Sequence, residues 1–147
     1  MKIKNEIKIT AESRSVNESY CRSAVASFAA QLDPTVSELS DIKTAVSEAV
    51  TNCIVHAYQG RIGKIYITVS LTEDNGVMIK IRDKGIGIPD VKKAREPLFT
   101  TGGEDRSGLG FSVMECFSDK LRVTSKEGRG TTVTIYKKIR GKSDDEP

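Results

Sequence analysis

The chain is predicted to form a two-layer α/β sandwich of the α+β kind, with helices on one face of a mostly antiparallel mixed sheet. Three observations predict it. The spacing of apolar residues changes from about 3.6 to 2 near residue 60, so helices come before most of the strands. Successive strand candidates are joined by tight turns instead of long crossovers, which suits antiparallel neighbours better than a doubly wound parallel sheet. The length of 147 residues, 37% of them hydrophobic, supports one core and not two. One domain is expected over residues 1–140, followed by a flexible tail over 141–147, "GKSDDEP".

The elements follow in order. Ile3, Ile7 and Ile9 fall on one face of a first strand. "SVNE" gives Ser15 and Glu18 the spacing of a capping box, opening a helix whose apolar set is Tyr20, Ala24, Val25, Phe28 and Leu32. Asp33-Pro34 stops it. "TVSE", Thr35 to Glu38, repeats the cap for a second helix reaching about Tyr58, with Leu39, Ile42, Val46, Ala49, Val50, Cys53, Ile54 and Ala57 buried. Ile65, Ile67, Val69 and Leu71 then alternate with polar residues, and after Asn75-Gly76 so do Val77, Ile79 and Ile81, predicting a hairpin. The region from Gly85 to Gly110 holds one short helix at Val91 to Glu96, and a third main helix covers Phe111 to Phe117. A second hairpin closes the fold, with Leu121 and Val123 before "EGRG" and Val133, Ile135 and Ile139 after it.

Composition excludes several classes. Twenty-three basic residues against 20 acidic ones leave a net +3, and beyond "YKKIRGK" no basic stripe is evident, so direct nucleic-acid binding is not expected. Cys21, Cys53 and Cys116 are far apart in apolar helical patterns and read as buried free thiols; with a single histidine, a structural zinc site is improbable. "MKIKNEIKIT" alternates charge and isoleucine, so neither signal peptide nor membrane span is read there, and a cytoplasmic location is expected.

Candidate chemistry begins on the second helix. Glu48, Asn52 and His56 are spaced i, i+4, i+8 and fall on one line, roughly opposite the apolar stripe. From Thr44 to Gly60 Glu48 is the only formal charge, where an ordinary solvated face would carry about five, so something polar is expected to cover it. The Asn52 amide oxygen suits Mg²⁺, and the Glu48 carboxylate can accept a proton from a water or hydroxyl. The bland alternative is an ordinary helix surface carrying an asparagine.

"DKGIGIP" places Asp83 at a strand end, followed by Gly85 and Gly87. A phosphate loop would open a helix directly and commonly carry a lysine, whereas Pro89 removes a donor here. The better anion site is "SGLGF", Ser107 to Phe111, where two glycines lead into a helix. "PLFTTGGEDR" between them is long enough in a small domain to be read as a mobile cover ending in Arg106.

"SEAVTNCIVHAY", "DKGIGIP" and "SGLGF" resemble, in order and spacing, the N box and the two glycine boxes of the ATPases and kinases sharing the gyrase, Hsp90, histidine-kinase and MutL nucleotide-binding fold. Within that superfamily nearly the whole chain, including "NESYCR" and "AREPLFTT", is similar to the sporulation anti-sigma factors, a family of serine kinases. The resemblance implies a Bergerat-type site for ATP or ADP with Mg²⁺. Asp83 would receive the adenine amino group, Gly85 and Gly87 would let the backbone pass close to the base, and Thr131 would complete the pocket. Asn52 would hold Mg²⁺ and Glu48 would act as the base toward a serine hydroxyl. The cover and helix start, Thr100, Thr101, Arg106, Ser107, Gly108, Leu109 and Gly110, would hold phosphate; Gly102-Gly103 stands where relatives carry a lysine, which makes Arg106 the lid's cation.

The implied partners are a sporulation sigma factor, which is sequestered, and an anti-anti-sigma protein, phosphorylated on serine. Arg22 matches a partner-contacting arginine, and a homodimer using the first strand is implied. A stress-response anti-sigma kinase differs only in partners, and a nucleotide-gated binder without transfer is a third reading. A histidine-kinase core would need its phospho-accepting histidine on a dimerisation helix; His56, the only histidine, lies in the site helix and reads as structural.

Overall fold

The structure, a computed structural model, describes residues 2–96 and 110–141. The order is β1 (Ile3–Glu12), α1 (Asn17–Ala29), a 3₁₀ turn (Ala30–Leu32), α2 (Val36–Asn52), a π-helical turn (Cys53–Ala57), β2 (Lys64–Thr72), β3 (Gly76–Arg82), α3 (Val91–Ala94), α4 (Gly110–Cys116), β4 (Lys120–Lys126) and β5 (Gly130–Lys138). The five strands form one sheet in the order β1-β2-β3-β5-β4. Every pairing is antiparallel, so the sheet is not mixed.

The period-two pattern decides which face is covered. Ile65, Ile67, Val69 and Leu71 of β2, Val77, Ile79 and Ile81 of β3, and Val133 and Ile135 of β5 point to the helices and are almost inaccessible. They meet Cys21, Val25 and Ala29 of α1 and Ile42, Val46, Ala49 and Val50 of α2. At about 1.5–3 kcal/mol for each fully buried aliphatic side chain, this layer is the main favourable contribution to the fold. Among the described residues no helix covers the opposite face of the sheet.

The start of α2 is as predicted: Thr35 accepts from the Glu38 backbone N–H and the Glu38 side chain accepts from Thr35, a complete capping box. The start of α1 is not. Val16 is its N-cap with no side-chain cap bond, because Glu18 turns away to Arg22 and to the Ser47 hydroxyl of α2. Tyr20 is 66% exposed, since Cys21, Val25 and Ala29, exact i+4 neighbours, form the stripe instead.

On β1 a register shift between Ile3 and Asn5 reverses the alternation. Ile3 therefore pairs with Thr72 on the open side and is exposed, while Ile7 and Ile9 pack on the core. Cys21 and Cys53 are buried but Cys116 is exposed, because α4 sinks only Met114. The second helix ends as an α-helix at Asn52 and not at Tyr58; the Tyr58 N–H donates to the Cys53 carbonyl at 3.1 Å, closing a wide turn. The short helix is Val91–Ala94, and Ile139 is buried one residue beyond β5. The tail over 142–147 lies outside the described residues.

Candidate functional site

Asp83 leaves β3 and is only 5% exposed. Its backbone N–H donates to the Thr131 carbonyl at 2.9 Å, and its Oδ1 accepts from the Gly85 N–H at 2.9 Å and the Thr131 N–H at 3.2 Å. The Cys53 thiol, from the π turn, hydrogen-bonds the same carboxylate. Burial raises the Asp83 pKa, and the two amides and the thiol pull it back down without cancelling the rise. Cys53 is pushed well above an ordinary thiol, by burial first and by the neighbouring carboxylate second. A carboxylate fixed in this way has one orientation, which is what a selective hydrogen-bond acceptor requires.

The loop after Asp83 is sewn to two other elements. The Ile86 N–H donates to the Ala57 carbonyl at 3.1 Å, the Gly128 N–H to the Ile86 carbonyl at 2.6 Å, and the Ile88 N–H to Ser125 Oγ at 2.7 Å. These contacts give the glycines a reason different from close passage of a base. A Cβ on Gly85 would lie 2.4 Å from the Ala57 carbonyl oxygen, and Gly87, at φ +77°, would place one 2.3 Å from the Lys126 carbonyl oxygen. Both glycines let the loop pack on protein backbone.

Three residues of this assembly were not singled out in the sequence. Ser125 also meets Thr131 Oγ1 at 2.8 Å and the Gly130 carbonyl at 3.0 Å, joining the loop to the β4–β5 hairpin. The Tyr58 hydroxyl accepts from the Lys84 N–H at 2.8 Å and donates to the Lys64 carbonyl at 2.5 Å. Cys53 stands behind Asp83. A serine in a strand and a thiol in an apolar stripe carry no local signal of such roles; of this hairpin only Thr131 was named, through the resemblance.

Glu48, Asn52 and Gly110 come together. A Cβ on Gly110 would be 3.2 Å from Asn52 Oδ1 and 3.5 Å from Glu48 Oε2, so the bare first residue of α4 rests against both side chains. Asn52, His56, Asp83, Gly85, Gly87, Gly110 and Thr131 all line one cleft of about 870 Å³. The π turn breaks the straight Glu48–Asn52–His56 line, because the wider turn shifts His56 out of the i+4 series. Arg22 lies away on α1, 3.1 Å from Glu18. Thr100, Thr101, Arg106, Ser107, Gly108 and Leu109 lie outside the described residues.

An antiparallel sheet covered on one face by helices, with a loop-held aspartate and a helix-borne asparagine at one cleft and a glutamate one turn back on the same helix, is the architecture of a histidine kinase-like ATPase domain. The family model of that description matches residues 9–137, and the chain belongs to that family and, within it, to the anti-sigma F factors. It is 53% identical over 140 residues to the anti-sigma F factor of Caldanaerobacter subterraneus subsp. tengcongensis, covering 95% of this chain and 97% of the relative. To that of Bacillus subtilis (strain 168) it is 51% identical over 139 residues, covering 93% and 94%.

Two solved structures share the fold at low identity. One contains the RsbU and RsbW domains of a Mycobacterium tuberculosis protein, with a TM-score of 0.67 and 19% identity over 92% of this chain; the chain spans 33% of that structure. The mycobacterial sensor histidine kinase MprB gives a TM-score of 0.58 and 16% identity, over 92% of this chain and all of the other.

Proposed function

We propose that the protein is an ATP-dependent serine kinase and anti-sigma factor, which sequesters a sporulation sigma factor and phosphorylates an anti-anti-sigma protein on serine. One observation carries the reading: a buried carboxylate locked by two backbone amides shares a cleft with Asn52, and Glu48, one helical turn back, meets Asn52 at Gly110. The names of the close relatives support the anti-sigma part.

The residues fit the nucleotide. Asp83 presents an oriented acceptor suited to an exocyclic amino group, and 870 Å³ falls within the range of small-molecule clefts. Asn52 supplies a hard amide oxygen suited to Mg²⁺. Among the described residues no group of three His, Cys, Asp or Glu could hold a metal, so an ion at Asn52 would take its other ligands from water and phosphate. Bound Mg·ATP supplies the transferable phosphoryl group and neutralises its charge.

The chain's own part is orientation and proton handling. Asn52 and Glu48 lie side by side on α2, so the base is held one helical turn from the metal position. Glu48 accepts the proton of the incoming serine hydroxyl. The Thr131 hydroxyl and backbone hold the floor of the pocket through Asp83 and Ser125. Arg22, held by Glu18, is the proposed partner contact, and the exposed edge strand β1 the proposed dimer contact.

Glu48→Gln tests the reading. With labelled ATP, Mg²⁺ and an anti-anti-sigma protein, transfer is expected to fall at least about 100-fold, as for loss of a general base, while ATP and sigma-factor binding persist. Undiminished transfer removes Glu48 as the base; nucleotide-dependent sigma binding with no transfer by the unaltered protein makes it a nucleotide-gated binder.

A further inference from the structure

We propose that the open face of the sheet is a second binding surface, and that its ligand is the phosphate backbone of a single-stranded nucleic acid. Alternation places Lys80 and Arg82 of β3, Lys138 of β5, and Lys120, Arg122 and Lys126 of β4 on the side away from the helices. They are the only charged residues of those three strands on that face, and all six are basic. The chain as a whole is nearly balanced, at 23 basic residues to 20 acidic. The charge is therefore segregated by the fold, and because it is gathered from strands distant in sequence, no basic stripe shows in the chain.

The register makes an ordered row. Lys8 of β1 stands opposite Thr68, Thr68 opposite Lys80, Lys80 opposite Thr134, and Thr134 opposite Arg122, so cations alternate with hydroxyls across all five strands. With strands about 4.8 Å apart, successive cations of the row are about 9.6 Å apart, and Lys80 and Arg82 along one strand about 6.7 Å. Among the described residues, none of Lys8, Lys80, Arg82 or Arg122 enters an ion pair. Arg82 and Lys84 instead flank the Tyr66 ring, each 5.1 Å from its centroid.

The row ends in a groove of about 480 Å³ lined by Lys120, Arg122, Thr134 and Tyr136. Its two acids are both partnered: Glu115 with Arg95, which lines the same groove, and Asp119 with the Lys138 N–H. At the opposite edge, Glu6 accepts from Ser70.

The composition of the face selects the ligand. Interfaces with folded proteins are built on an apolar or aromatic centre and are poor in lysine. None of the large exposed hydrophobics, Ile3, Val16, Tyr20, Val36, Ile62 and Ile86, lies on β3, β5 or β4. The one aliphatic side chain of those strands on that face, Met78, is half-buried opposite Ser70 and Tyr136 and gives a lipid layer little to bury. A flat field of cations and hydroxyls with half-buried tyrosines is what tracks a phosphate backbone.

The test is a fluorescence-anisotropy titration of labelled oligothymidylate of about twenty nucleotides, at ~50 and ~200 mM salt. Lys80→Glu and Arg122→Glu are each expected to weaken binding about tenfold, and the double variant to flatten the log–log salt slope by about 1.4. Lys43→Glu, the same charge change on exposed α2, is expected to leave affinity within about twofold. Lys80→Gln and Arg122→Gln replace any glutamate variant whose melting temperature shows it unfolded, and are expected to weaken binding in the same order. Absence of saturable binding, equal weakening by Lys43→Glu, or preference for polyglutamate or phosphatidylserine vesicles over the oligonucleotide would overturn the proposal.

Discussion

Asp83 is costly to bury and is kept. Its pKa lies above the ordinary aspartate value because burial outweighs two backbone amides and a thiol, so at neutral pH the ionised group disfavours the folded state. Asp83→Asn can still accept both amides through its oxygen. The variant is therefore expected to melt no lower than the parent, while ATP binding, having lost a charged hydrogen bond of about 1.5–3 kcal/mol, weakens roughly tenfold to 100-fold. Isothermal titration and a melting curve on the same sample check both halves; a large drop in melting temperature would mean the residue is structural. Since the folded pKa is raised, ATP affinity in the parent is expected to fall on acidification before an ordinary aspartate would titrate. Gly85→Ala behaves differently. Its Cβ meets the Ala57 carbonyl at 2.4 Å, so the loop must lift, and both stability and ATP affinity are expected to fall together. The place of Asp83 at a strand end was legible from the alternation before it, but an aspartate before glycines is a common turn pattern, and its role was read only through the resemblance of "DKGIGIP" to a glycine box. What those glycines pack against was not legible, because Ala57 and Lys126 are distant in the chain.

Glu38 shows how one side chain can serve two elements. It closes the capping box of α2 and also accepts from the backbone N–H groups of Arg140, at 2.8 Å, and Gly141, at 3.0 Å, tying the chain beyond β5 to the helix start. Partial burial works against its charge, but the hydrogen bonds outweigh it and hold its pKa below the ordinary 4.5. A depressed carboxylate contributes stability that is present above its unfolded pKa and lost as pH falls through the folded one. Glu38→Ala is expected to lower the melting temperature by about 3–6 °C at neutral pH, as loss of a cap of about 1–2 kcal/mol does in a chain of this size. The gap should narrow below pH ~4.5 as the parent loses the same charge, and a gap independent of pH would refute the linkage. The Thr35–Glu38 box was readable because the other donors to Glu38, the Arg140 and Gly141 amides, join the box without displacing it. The Ser15–Glu18 box was misread because Arg22 and Ser47 do compete, a tertiary effect. The π turn was likewise hidden, since Cys53 to Ala57 continue a helical pattern and only the hydrogen bond to Tyr58 reveals the extra residue.

At the scale of the whole molecule, the two sides of the sheet have separate tasks. Period-two alternation fixed the covered face correctly from sequence, and turn spacing fixed the antiparallel hairpins. The pairing of β3 with β5 places Thr131 beside Asp83, although they are 48 residues apart, and no local pattern carries that. The cleft is therefore assembled from α2, the π turn, the loop after β3, α4 and the β4–β5 hairpin. A ligand touching all of them binds only when they are mutually docked, so binding is linked to global stability. With Mg·ATP at about 100 times its dissociation constant, the linkage relation gives about 2.7 kcal/mol, hence a rise of about 5–10 °C in melting temperature. Asp83→Asn should show a much smaller rise at the same concentration, and Lys43→Glu the full one. A nucleotide that left the melting temperature of the parent unchanged would show that the cleft is not the site that joins these elements.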